Sequence, residues 1–105
     1  MRFGQVDGTV VATRKDERLE GLKLQLVRVL SAEAEPTDEY VVAADSVGAG
    51  QGEVVLFATG SSARQTTSTD GRPIDAIIMA IVDEWDMSGK LIFQKDASPI
   101  DTADS

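Results

Sequence analysis

Three stretches of this 105-residue chain hold residue types that could do chemistry: Gly48-Ala49-Gly50-Gln51-Gly52, Gly60-Ser61-Ser62-Ala63-Arg64-Gln65 and Asp83-Glu84-Trp85-Asp86. The first places glycines at alternate positions, where backbone amides can turn toward a phosphate. A dinucleotide fingerprint needs a wider last gap with a helix behind it, and a phosphate loop needs Gly-Lys followed by Ser or Thr. Neither is met here: Glu53 to Thr59 reads as a strand, and no Gly-Lys is followed by Ser or Thr. The glycines therefore read as a structural turn, with Gly48 and Gly50 expected to hold backbone angles that need glycine. In the second stretch, free amides and the Arg64 guanidinium could converge on an anion at a helix start. Ser62 and Gln65 also stand at capping-box spacing, so an ordinary capped helix is the simpler reading. The third stretch offers carboxylates for a hard cation, but calcium sites want more oxygens in one loop. It reads as solvated charge, with Trp85 beside it serving packing or an interface.

Composition narrows the chemistry further. There is no Cys and no His, which removes thiol nucleophiles, disulfides, Cys/His zinc sites and any imidazole base. Ten Lys and Arg stand against 18 Asp and Glu, a net charge of −8. Glu33, Glu35, Asp38, Glu39, Asp45 and Glu53 follow one another without an intervening Lys or Arg. Nucleic-acid binding draws its affinity from cations meeting phosphates, and anionic membranes ask for the same sign. Neither a nucleic acid nor a membrane is expected as a partner. No apolar run nears a membrane span and the N-terminus lacks an apolar signal centre, so a cytoplasmic protein is expected. No cofactor and no metal site is expected, nor any catalytic residue.

The elements that must position these stretches read mainly as strands. Gly4, Val6, Gly8, Val10 and Ala12 share one parity, a period of two, with the glycines marking bends or close backbone approach. Lys15 to Gly21 is a charged connector. Leu22, Leu24 and Leu26 alternate before the apolar phase shifts to Val27 and Val29. A bulge would cause that shift, and so would burial of the second face by another subunit. Tyr40 to Ala44, Glu53 to Thr59, Ala76 to Val82 and Lys90 to Gln94 complete the strands. Glu53 to Thr59 is apolar on both parities, so both of its faces are expected to be covered. Asp86 to Gly89 is a turn, and residues 96–105 form a flexible acidic tail. The expectation is a mainly β domain over residues 1–95: a small closed OB-like barrel with one short α-helix.

In sequence order, Gly8-Thr9-Val10-Val11-Ala12-Thr13, Gly21-Leu22-Lys23-Leu24, Ala43-Ala44-Asp45-Ser46-Val47-Gly48-Ala49-Gly50, Gly60-Ser61-Ser62-Ala63-Arg64-Gln65, Pro73-Ile74-Asp75-Ala76 and Ile81-Val82-Asp83 resemble the EutN/CcmL family. The likeness runs over roughly residues 1–95. It implies a structural role: a homopentamer that caps the fivefold vertices of a bacterial microcompartment shell, in contact with hexagonal shell proteins. It also implies that Gly60, Ser61, Ser62 and Arg64, with Asp45, Gly48 and Gly50, lie at subunit contacts or the axial pore. Arg14, Lys15, Arg18 and Lys23 are candidates to offset acids on a neighbour. Two other readings stand beside this one. An OB-like barrel binding nucleic acid or a small molecule would need basic grooves and exposed aromatics. A carboxylate enzyme would need paired acids in a pocket.

Overall fold

The computed structural model describes residues 1–13, 15–60, 63 and 74–95. Five strands, β1 (Arg2–Val10), β2 (Lys23–Leu30), β3 (Pro36–Asp45), β4 (Val54–Thr59) and β5 (Ala76–Ile81), close into a barrel in the order β1-β2-β3-β5-β4. Every pairing is antiparallel except β3 with β5. The OB-like barrel expected from the strand pattern is therefore present. Outside it, β6 (Glu84–Met87) and β7 (Lys90–Gln94) form a hairpin. Its two-residue loop has Ser88 at φ 52° and Gly89 at φ 85°. Both positive angles belong to the tight turn whose twist matches the flanking strands.

Small and β-branched side chains fill the barrel: Val6, Val27, Val29, Ala43, Val55, Phe57, Ala76 and Ile78 are all buried. A barrel this narrow brings its walls close together. At Gly4 an added Cβ would overlap Val27 Cγ1 and come within 2.9 Å of Phe57 Cε1. Gly4 thus serves close approach, as expected, whereas a Cβ on Gly8 would meet nothing within 4 Å.

The structure moves the bulge. Between β1 and β2 the register passes from Val6↔Val27 to Gly8↔Leu26, which leaves Asp7 as the extra residue. From there Thr9, not Gly8, shares the inner face with Val6, so the simple parity read along β1 holds only as far as Val6. Against β3, β2 keeps one register from Lys23 to Arg28. Gln25, Val27 and Val29 all point inward and are buried, while Leu24 and Leu26 lie on the outer face and are half-exposed. The change of apolar phase in β2 is not a bulge; it marks a strand with apolar residues on both faces.

Three further corrections concern element boundaries. β3 begins at Pro36, four residues before the strand expected from Tyr40, and β6 occupies the residues read as solvated charge. No α-helix occurs among the described residues; helical backbone is of 3-10 type, at Glu17–Leu19, Gly60 and Ala63. The Glu17–Leu19 turn lies in the charged connector, where the Asp16 carboxylate accepts the Arg18 amide at 2.8 Å and caps it. The Ser62–Gln65 capping box and the tail 96–105 lie outside the described residues.

β4 is covered on both faces, as its composition implied. Inside lie Val55 and Phe57; outside, Ala58 packs with Ala44, Ala63, Ile74 and Ile77. Val54 and Leu56 pack with Leu30, Val82, Phe3, Trp85 and Phe93, which seats the hairpin on the β1–β4 wall.

Candidate functional site

The expected site residues divide into two places. Asp45 ends β3, and Gly48 and Gly50 follow in the loop to β4, at one end of the barrel. Gly60 follows β4, and its amide donates to the Asp75 carbonyl at 2.9 Å. Strand β5 runs between the two places, paired with Asp45 on one side and with Thr59 on the other. Ser61, Ser62 and Arg64 lie outside the described residues.

The loop is organised around the Asp45 carboxylate. One oxygen accepts the amides of Val47 and Gly48, both at 3.0 Å, and the other accepts the Ala49 amide at 2.9 Å. Three converging amides are what an anion-binding loop would present. Here they are taken by the chain's own carboxylate, which is the chemical reason this glycine-rich stretch is a turn and not a phosphate cradle. Gly48 has φ 79° and Gly52 has φ 88°, both in the left-handed region. Gly50 does not, so the expectation for that glycine is wrong and Gly52 takes its place.

Beneath the loop sits Gln25, buried in the barrel. Its Oε1 accepts from Thr9 Oγ1 at 2.9 Å; its Nε2 donates to the Ala49 carbonyl at 2.8 Å and to Asp45 Oδ2 at 3.2 Å. This amide links β1, β2, β3 and the loop, and it satisfies every polar atom it carries. Reading the sequence missed it, because a Gln between Leu24 and Leu26 looks like the polar face of an amphipathic strand. The signal available was the Val27 and Val29 parity, which Gln25 shares.

On the far side of the loop, Glu53 Oε1 accepts the Gly50 amide at 2.7 Å and Oε2 accepts Lys95 Nζ at 2.8 Å. The Gly50 amide first, then Lys95, hold the Glu53 carboxyl below its ordinary range. Glu53 thus ties the loop to the end of β7. Gly52 is lashed to β1 as well: its amide donates to the Val6 carbonyl at 2.8 Å and its carbonyl accepts from Gln5 Nε2 at 3.0 Å.

The cations of the first connector are engaged locally. Arg18 grips Asp16 through two contacts of 2.9 Å, and Lys15 lies 3.4 Å from Glu20. Both pairs are solvent-exposed and each adds little stability. Arg14 lies outside the described residues. Among the described residues no three His, Cys, Asp or Glu side chains group as metal ligands. Asp83, Glu84 and Asp86 are exposed, while Trp85 packs on its own barrel.

Among the described residues this geometry brings no group of metal-ligating side chains together. It assembles a stiff barrel with a tightly anchored loop and an apolar outer wall. The comparisons with known proteins agree with that picture. Residues 1–83 match the family model described as ethanolamine utilisation protein EutN/carboxysome. The carboxysome shell vertex protein CcmL of Gloeobacter violaceus is 39% identical over 90% of this chain and 95% of its own length. Its solved structure superposes with a TM-score of 0.87 over 90% of this chain and 98% of that one. The microcompartment shell vertex protein GrpN of Rhodospirillum rubrum is 48% identical over 79% of this chain and 93% of its own length. Its structure, described as a pentameric microcompartment shell protein, gives a TM-score of 0.77 over 83% of this chain and 99% of that one. On the family match and these identities together, the chain belongs to the EutN/CcmL family.

Proposed function

We propose that five copies of this chain close into a ring that caps the fivefold vertices of a bacterial microcompartment shell, a structural and non-enzymatic role. The observation that carries the reading is the likeness to GrpN, a pentameric shell protein, over 99% of that chain's length. The naming of curated CcmL and EutN relatives as shell vertex proteins supports it.

The physical logic is geometric. Hexagonal tiles fill a plane, and a closed icosahedral shell needs fivefold corners. A cyclic ring uses a heterologous contact, one patch meeting a different patch on the next copy, closed by rotation. A rigid barrel suits this role, because the rotation per subunit must repeat without drift. The Asp45–Gln25 network and the Glu53–Lys95 tie stiffen one end of the barrel. In this reading the partners are further copies of the chain and hexagonal shell proteins at the vertex rim. Asp45, Gly48, Gly50, Gly60, Ser61, Ser62 and Arg64 then lie at subunit contacts or the axis. The anchoring of the Asp45–Gly50 loop favours a fixed rim over a moving gate.

The test is co-assembly. Hexagonal shell proteins mixed with this chain are expected to give closed polyhedra, and without it open sheets or tubes. Closed shells of equal number in both mixtures would remove the vertex role.

A further inference from the structure

Beside the seat of the hairpin, a crevice of about 360 Å³ opens between the end of β7 and the β1–β4 wall. Gln5 lines it from β1, Gln51 and Glu53 from the β3–β4 loop, Val54 from β4, and Phe93 and Lys95 from the end of β7. Its size falls in the range of small-molecule sites. Gln5 Nε2 donates to the Gly52 carbonyl at 3.0 Å, and Gln51 Nε2 reaches the Asp7 carbonyl at 3.4 Å. Each side-chain amide thus spends its N–H on the backbone. Neither amide oxygen has a hydrogen-bond partner among the described residues, so two acceptors are left beside the crevice. Next to them Lys95 Nζ meets Glu53 Oε2 at 2.8 Å, and the two charges cancel. Val54 is buried and Phe93 half-buried, and together they give the crevice an apolar side.

We propose that this crevice binds a small uncharged polyhydroxy molecule, of the size and chemistry of a monosaccharide. Two open amide oxygens ask for hydroxyl donors. A hydroxyl both donates and accepts, so neighbouring hydroxyls can serve the amide oxygens and the Glu53–Lys95 pair in turn. The C–H face of such a molecule is apolar and suits Phe93 and Val54. Other ligand classes fit less well. An anion would meet the Glu53 carboxylate on a chain of net charge −8. An apolar ligand would bury the ion pair and leave both amide oxygens without partners. The site is also formed in advance. Glu53 is held by the Gly50 amide, and Gly52 is held to Val6, so Gln51 projects from a stretch fixed on both sides. Little ordering is left for a ligand to offset. One barrel supplies every group involved, so the proposal stands apart from the ring.

Trp85 is the sole tryptophan and stacks on Phe93 at 5.2 Å, so its fluorescence reports contact at the crevice. Titration of the full chain with D-glucose is expected to change that emission saturably, half-complete at about 1–10 mM, the order for a ligand of so few heavy atoms. Saturation-transfer NMR on glucose reads the same binding without the indole. D-Gluconate, the singly charged acid of the same size, is expected to bind more weakly. Gln51→Ala is expected to weaken glucose by about five- to tenfold, the loss of one hydrogen bond, with an unchanged far-UV circular dichroism spectrum. An emission change that grows linearly without saturating, and no saturation transfer, would overturn the proposal and leave a bulk effect of the sugar on solvent. Tighter binding of gluconate would overturn it in favour of an anion site. Equal glucose affinity in Gln51→Ala would overturn it too, since the sugar would then sit elsewhere.

Discussion

The indole of Trp85 lies flat against the ring of Phe3, with 3.8 Å between centroids and 9° between planes. Phe93 completes the stack from the other side at 5.2 Å, and Trp85 Nε1 donates to the Ala32 carbonyl at 2.8 Å. One side chain from β6 thus docks the hairpin on β1 and on the β2–β3 connection. Trp85→Ala is expected to cost about 2–3 kcal/mol, below the full range for a buried aromatic because the indole is only half-buried. Trp85→Phe should keep the stack, lose the hydrogen bond and cost about 1 kcal/mol. Urea titration followed by far-UV circular dichroism measures both. Equal stability of all three chains would mean that the hairpin does not contribute to the barrel.

Much of this arrangement was legible in the residues, and the illegible parts share physical causes. β4 and β5 announce themselves by β-branched runs, and the Asp45–Gly52 turn by its glycines. The faces of β1 and β2 did not, because period-two reading assumes an unbroken ladder and one polar face. The Asp7 bulge breaks the first assumption, and the half-exposed outward Leu24 and Leu26 break the second. β6 was missed since Glu84-Trp85-Asp86 has a single apolar residue, which suffices only because Phe3 and Phe93 meet it. The start of β3 was missed since Pro36-Thr37-Asp38-Glu39 is polar, as a strand with an uncovered edge tends to be. Asp45 and Gly48 were singled out through family motifs and the alternate glycines, whereas Gln25 and Glu53 act through three-dimensional contacts that no local spacing encodes.

The glycines of the β3–β4 loop separate by backbone angle. Gly48→Ala should destabilise by about 1 kcal/mol, since φ 79° is strained for any side chain. Gly50→Ala should be nearly neutral, because an added Cβ meets only Glu53 Oε1, at an ordinary 3.5 Å. Thermal or urea unfolding of the two variants checks this. The opposite order would contradict the loop geometry.

Gln25→Ala removes the donor that satisfies the Ala49 carbonyl inside the barrel. A buried acceptor left unpaired costs about 1–3 kcal/mol, and the loss should also free the loop locally. Hydrogen exchange at the Val47, Gly48 and Ala49 amides should accelerate more than exchange in β4. Uniform acceleration would indicate global destabilisation without a specific anchor role.

The Glu53 contacts predict an acid-sensitive loop. Its folded carboxyl lies below the ordinary value, first through the Gly50 amide and then through Lys95. A lowered folded value means that the contribution is fully present above the unfolded value of about 4.3 and is lost as pH falls below it. Glu53→Gln should therefore lower the melting temperature at neutral pH and flatten its fall between neutral and acid conditions. A variant with the wild-type acid profile would show that Glu53 does not report on folding.

Native mass spectrometry of the full chain at micromolar concentration decides whether the ring forms. One dominant species at five times the 11.2 kDa chain mass is expected, with little monomer. A dominant monomer, or a closed assembly with any other number of copies, would contradict it.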